Sequence, residues 1–152
     1  MDISLLTLVA PFISWFLAQF LKPFTYFFKT GKWELKQVSA SGGLPSSHTS
    51  CVSALALSIG LREGFTSSLF AIAFVFSCIV AYDAMNVRYF AGENIRVTKL
   101  LVDELSDILP KLLSDDKGFE KLKEVLGHTV VEVCCGYVLG IIVTLCVYFF
   151  VK

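Results

Sequence analysis

Two short stretches hold the side chains fit for proton transfer and nucleophilic attack. The first is Ser41-Gly42-Gly43-Leu44-Pro45-Ser46-Ser47-His48-Thr49-Ser50, a Gly- and Ser-rich turn that runs into an apolar segment from Cys51. Pro45 suits the first turn of a helix, and Ser46 or Ser47 suits its N-cap. A helix N-terminus offers unpaired N–H groups and positive dipole, which together attract an anion. Gly42 and Gly43 let the backbone approach a ligand closely. His48 beside such a site either gives and takes a proton or is a passive imidazole next to a cap. The second stretch is Leu126-Gly127-His128-Thr129-Val130-Val131-Glu132. Glu132 follows His128 by four residues, so on a helix the two side chains share a face. A carboxylate beside an imidazole fixes its tautomer and sharpens the other ring nitrogen as a nucleophile. The chain has 2 histidines, and each stands where a polar loop becomes an apolar run. Such a pair can transfer a phosphoryl group: one attacks phosphorus, the other protonates the leaving oxygen.

The elements that must position these residues are membrane helices. Of 152 residues, 55% are hydrophobic and 14 are Phe. Mean hydropathy is +0.70. A soluble domain of this size would not carry so much apolar surface, and the length fits one domain, residues 1–152. Lys plus Arg and Asp plus Glu are 13 each, so charge gives no pointer to nucleic acid. Cys51, Cys78, Cys134, Cys135 and Cys146 all lie in apolar runs and read as small buried hydrophobes. No Cys/His spacing fits a metal site, and no cofactor is expected.

Four spans are expected: Ile3–Leu21, Ser46–Leu61, Ser67–Tyr82 and Thr129–Val151. The first lacks the basic start and cleavage site of a signal peptide and reads as a retained span. Lys22–Ala40 reads as a polar connection with an interfacial aromatic patch at Phe24, Tyr26, Phe27 and Phe28. Ile95, Leu101, Val102, Leu105 and Ile108 recur at helical spacing, so Glu93–Leu113 reads as an amphipathic helix on the membrane face. Ser114–Gly118 reads as a loop and Phe119–Val125 as a short helix. Gly136 and Gly140 have small-x-x-x-small spacing and are expected to offer a face for self-association, hence a homodimer. The fold class is all-α, a polytopic membrane bundle of four spans plus polar amphipathic helices. Lys22, Lys29, Lys32, Lys36, Arg88, Arg96 and the lysines beyond fall on one side of it, against Arg62 and Lys152 on the other. The positive-inside rule then puts the site at the cytoplasmic face and both termini outside.

Pro45-Ser46-Ser47-His48 resembles the P-S-G-H signature of the type 2 phosphatidic acid phosphatase superfamily, which includes vanadium haloperoxidases. His128-x-x-x-Glu132 resembles its H-x-x-x-D. With Gly42-Gly43-Leu44, Asp83-Ala84-Met85-Asn86-Val87-Arg88, Ala91-Gly92 and Leu126–Val133, the chain is most similar to the short divergent branch found in bacterial and plastid membranes. The resemblance spans nearly the whole chain. It implies a metal-independent hydrolase of a lipid phosphate or diphosphate, with membrane lipid as its surroundings. By it His128 attacks phosphorus, Glu132 orients His128, and His48 is the general acid. Ser46, Ser47, Gly43 and nearby N–H groups hold the phosphoryl oxygens with Lys22 and Arg88. Lys22-x-x-x-x-x-x-Lys29-Thr30 is similar to the superfamily's K-x-x-x-x-x-x-R-P, with Lys29 either on phosphate or anchoring the loop. Asp83 either orients Arg88 or is a solvated helix-end carboxylate. Where the superfamily has S-R before its second His, this chain has Lys121 and Lys123, so Lys123 is a further phosphate candidate. Two rivals accompany this reading: a non-enzymatic membrane scaffold that kept the fold, and vanadate-dependent haloperoxidase chemistry.

Overall fold

The computed structural model describes residues 5–40, 42–108 and 127–151, and within them regular structure is entirely helical. Helix α1 is Leu6–Thr30. A 3-10 turn at Leu35–Ser39 and a Gly-rich loop lead to α2, Ser47–Glu63. Helix α3 is Ser68–Tyr82, followed by a π-helical turn at Asp83–Val87 and by α4, Arg88–Ile108. Helix α5 is Val130–Val151. The expected loop at Ser114–Gly118, the short helix at Phe119–Val125, and the amphipathic helix beyond Ile108 lie outside the described residues.

Helix α1 does not stop at Leu21 but runs on through Lys22 and Pro23 to Thr30. The aromatic patch is therefore helical, and its true stop is Gly31 at φ 71, whose N–H donates to the Phe27 carbonyl at 2.8 Å. Glycine takes this left-handed position without the steric cost a Cβ would add. Helix α2 is capped by Ser46, whose Oγ accepts from the Thr49 N–H, so Pro45 sits before the cap rather than in the first turn. Ser67 caps α3 in the same way through the Phe70 N–H. The helix of the third span continues past Tyr82: the chain stays helical from α3 through the π turn into α4.

Interhelical hydrogen bonds set the directions. Thr25 Oγ1 donates to the Leu44 carbonyl at 2.5 Å, and Arg62 donates to Thr7 Oγ1 at 3.3 Å, so α1 and α2 are antiparallel. Tyr137 OH donates to the Ser77 carbonyl at 3.0 Å, and the His128 N–H donates to the Ala84 carbonyl at 3.1 Å, so α3 and α5 are antiparallel. The Ser46 N–H donates to the Glu132 carbonyl at 3.0 Å, and Thr144 Oγ1 donates to the Ala54 carbonyl at 3.4 Å, so α2 and α5 are parallel. The C-terminal ends of α1 and α3 and the N-terminal ends of α2 and α5 thus meet at one end of the bundle.

Small residues make the parallel pair close. A Cβ on Gly136 would stand 2.6 Å from the Ser46 carbonyl, and one on Gly140 would collide with Ser53 and the Ser50 carbonyl. The Gly136/Gly140 face is therefore filled by α2 and is not free for a second copy, which corrects the argument from that face to a dimer. On its other side α2 packs on α1, where the Ser14 and Ser50 hydroxyls share a hydrogen bond. Among the described residues, three helices are long and apolar enough to cross a membrane: α1, the α3–α4 helix over Ser68–Val102, and α5 over Val130–Phe150. Helix α2 is not among them. Its 17 residues reach about 25 Å against a hydrocarbon core of about 30 Å. Its buried positions include Ser47, Thr49, Ser50, Ser53 and Ser58, so it is a central helix that the apolar helices enclose.

Candidate functional site

His128 does not lie on a helix. It sits in the segment before α5, and the ring is only 3% exposed. Its spacing to Glu132 works through a cap. Thr129, immediately before α5, accepts the Glu132 N–H on its Oγ1 at 3.4 Å, and Glu132 Oε2 accepts the Thr129 N–H at 3.0 Å. This is a capping box, T-x-x-E, in which the third helical residue folds back over the helix start. The same Oε2 lies 3.0 Å from His128 Nδ1. An ionised carboxylate only accepts, so Nδ1 carries the proton and donates to Glu132. In the neutral imidazole Nε2 then bears the lone pair, and this atom is buried without a hydrogen-bond partner.

Four elements hold the remaining side chains around this group. His48 is in the first turn of α2, one residue past Ser47, and its side chain is exposed. Asp83 opens the π turn. His48, Asp83, Val80, Ala84 and His128 wall a cavity of about 10 Å³, room for about one water. A π turn leaves carbonyls outside the ordinary helical ladder, and here the Ala84 carbonyl takes the His128 N–H, fixing the His128 backbone against α3.

Ser46 is committed to structure. Its Oγ accepts from Thr49 Oγ1 at 2.9 Å, and its N–H is taken by the Glu132 carbonyl. Ser47 differs, because its Oγ is fully buried with no hydrogen-bond partner. Lys22 is 1% exposed, an unusual burial for an ammonium, and its Nζ donates to the Ala40 carbonyl at 2.6 Å. Its stem passes Gly43, whose φ of 96 is the left-handed conformation that favours glycine.

On the other face of Glu132 lies a polar cleft of about 610 Å³, walled by Tyr26, Lys29, Gly43, Arg96, Thr129 and Glu132 among others. It adjoins a second space of about 440 Å³ that reaches Lys22 and Thr25. Lys29 and Gly43 therefore face Glu132 across this cleft, while the two histidines meet in the small cavity. Arg88 opens α4, but its side chain lies outside the described part, as does Lys123 altogether. Among the described residues, no group of three or more His, Cys, Asp and Glu side chains gathers to hold a metal ion.

Thr129 and Arg96 stand at the site without having been expected there. Thr129 was legible as the first member of T-x-x-E. Arg96, ion-paired to Glu93 at 3.0 Å, carried no signal beyond its charge, since only the fold brings α4 over the Gly43 loop.

Residues 4–143 match the family model described as the divergent PAP2 family. The chain belongs to that family. The match covers the Pro45–His48 and His128–Glu132 stretches together. A relative in Bacillus subtilis (strain 168), the uncharacterized membrane protein YuiD, is 39% identical over 140 residues, covering 88% of this chain and 87% of the relative. No solved structure matches.

Proposed function

We propose that this divergent PAP2 family protein is a membrane phosphatase that hydrolyses a lipid phosphate or diphosphate through a phosphohistidine. The observation that carries the reading is His128, with Nδ1 held by Glu132 and Nε2 buried, unpartnered and facing His48 across a small cavity. In the first step the Nε2 lone pair forms a bond to phosphorus, and the ester P–O bond breaks. The electron pair leaves with the alkoxide, which takes a proton from His48; for a diphosphate the bond broken is the terminal P–O–P bond and lipid monophosphate leaves instead. In the second step water gives a proton to His48 as its oxygen bonds to phosphorus, the N–P bond breaks with its electron pair returning to Nε2, and inorganic phosphate departs. Developing charge on the non-bridging oxygens is met by Ser47, the α2 N-terminus and the cations Lys22, Lys29 and Arg88. Asp83 and Lys123 complete the expected set, Asp83 beside His48. Four crossings, with α2 as the enclosed one, and a cytoplasmic site in a bacterial cell membrane or a plastid membrane belong to this reading.

The test is phosphate release from a panel of alkyl, prenyl and diacyl phosphates by purified protein in vesicles, with acid-labile phosphohistidine trapped after a rapid quench. His128→Ala should abolish both signals. Full turnover in His128→Ala would dismiss the assignment.

A second reading, a non-enzymatic membrane scaffold, is favoured by the cavity itself. At about 10 Å³ it admits no phosphoryl group unless His48 moves aside. Absence of phosphate release across the whole panel, in a preparation whose helices are intact, selects this reading. Peroxide-dependent bromide oxidation with added vanadate, measured on the same preparation, tests the haloperoxidase rival.

A further inference from the structure

A third space lies on the membrane-facing flank of the histidines, between α1, α2 and α3. It measures about 410 Å³, and its walls are Trp15, Cys51, Val52, Phe76, Ile79 and Val80, with His48 and Asp83 at one end. His48, Val80 and Asp83 also wall the small cavity that reaches His128. An apolar groove and the proposed nucleophile are thus in contact through the proposed acid. Phe76 and Ile79 are 50% and 60% exposed on an apolar helix, so the groove opens where α3 faces lipid.

We propose that this groove binds one alkyl or prenyl chain of a phosphate ester, so that the ligand is a single-chain lipid phosphate rather than a diacyl one. The head-group end rests on the phosphatase reading above; the tail rests on the groove. Two observations select this space and this occupant. The polar cleft beyond Glu132 is walled by Lys29, Arg96, Glu93 and Glu132, and an alkyl chain there would strip water from charges without replacing it. The groove by contrast has apolar walls, with His48 and Asp83 together at one end. Its size then limits the tail. At about 410 Å³ the space is at the low end of ligand-sized sites, about 300–1,000 Å³, and beside His48 it seats one chain; a second chain of the same molecule would have to lie outside it, on the lipid-facing side of α3.

Cys51 lines the groove and reports its occupancy without any need for turnover. The experiment uses full-length protein in dioleoyl phosphatidylcholine vesicles, with Cys78, Cys134, Cys135 and Cys146 replaced by Ala. Alkylation of Cys51 by N-ethylmaleimide is followed by mass spectrometry. At saturation, dodecyl phosphate should slow alkylation about tenfold, as expected when ligand exceeds Kd by that factor. Inorganic phosphate, and dioleoyl phosphatidic acid at the same mole fraction, should leave the rate nearly unchanged. No protection by dodecyl phosphate, equal protection by phosphatidic acid, or a Cys51 that never reacts would each overturn the proposal. Phosphate release is measured in parallel. Protection without release upholds the groove and removes the phosphatase reading; release without protection does the reverse.

Discussion

Glu132 makes two hydrogen bonds with one oxygen, to the Thr129 N–H and to His128 Nδ1. Because the first partner is backbone, the carboxylate stays placed even if the Thr129 side chain is lost. Thr129→Ala should therefore lower stability by about 1 kcal/mol, the usual worth of a cap, with turnover within a few-fold of the parent and Thr129→Ser restoring the melting temperature. Glu132→Gln acts on the other bond. It removes the charge that favours the Nδ1–H tautomer, and losing a charged hydrogen bond of about 1.5–3 kcal/mol predicts a turnover loss of roughly 10- to 100-fold. Equal losses in the two variants would mean that Glu132 serves only the cap. His48→Ala should spare aryl phosphates, whose leaving groups need little protonation, and suppress alkyl phosphates, a difference read in paired assays. The pairing of His128 with Glu132 was legible from their spacing, but its cause was not. A shared helix face was the sequence expectation, whereas the carboxylate reaches back from the first turn to a residue outside the helix. The burial of Lys22 was not legible either, since it takes the fold to bring Ala40 and Gly43 against its side chain.

At the scale of helices, starts were easier to read than continuations. Ser46, Ser67 and Thr129 mark three helix starts in the sequence itself. The run of α1 past Lys22 and Pro23 was hidden because a charge and a proline look like stops. Aromatic residues and the lack of any glycine before Gly31 carry α1 onward. In the α2–α5 pair, Ser46, Ser50 and Ala54 lie against Gly136, Gly140 and Thr144, one helical turn per step. Hydrogen bonds across such pairs average only about 0.6 kcal/mol in membranes, so close backbone packing carries the association. Gly140→Leu should therefore destabilise the folded chain by about 1–3 kcal/mol, the cost of overpacking a tight contact. Thermal unfolding in mild detergent reads this out, with Val138→Leu as a comparison at an exposed position of the same helix. A Gly140→Leu protein as stable as its parent would contradict the parallel seam. The same packing bears on self-association. A homodimer, if cross-linking detects one, must use lipid-facing surfaces such as those of α3, and Gly140→Leu should not dissolve it selectively.

Considered whole, the bundle gathers its chemistry at one end and leaves the other plain. Lys22, Lys29, Lys32, Lys36, Arg96 and Lys99 stand at or beyond the site end, whereas Arg62 closes the far end of α2. The antiparallel pairing of α1 with α2 and of α3 with α5 puts the start of α1 and the end of α5 at that far end. This holds whether or not α2, shorter than the hydrocarbon core, crosses it fully. The positive-inside rule counts lysine and arginine and largely ignores acids, so Glu93 and its neighbours do not cancel the bias. Some of these cations stand in the clefts, where binding rather than topology explains them: Lys22, Lys29 and Arg96. Lys32 and Lys36 are exposed on the connection between α1 and α2 and wall neither cleft, so they keep the bias when the others are discounted. The site end should therefore face the cytoplasm, with the ligand drawn from the inner leaflet. A single Cys at Lys36, in a background without the native cysteines, should resist a membrane-impermeant maleimide in intact cells and react after lysis. A Cys at Arg62 should show the opposite pattern. Labelling of the Lys36 position in intact cells would reverse the orientation and place the ligand pool in the outer leaflet.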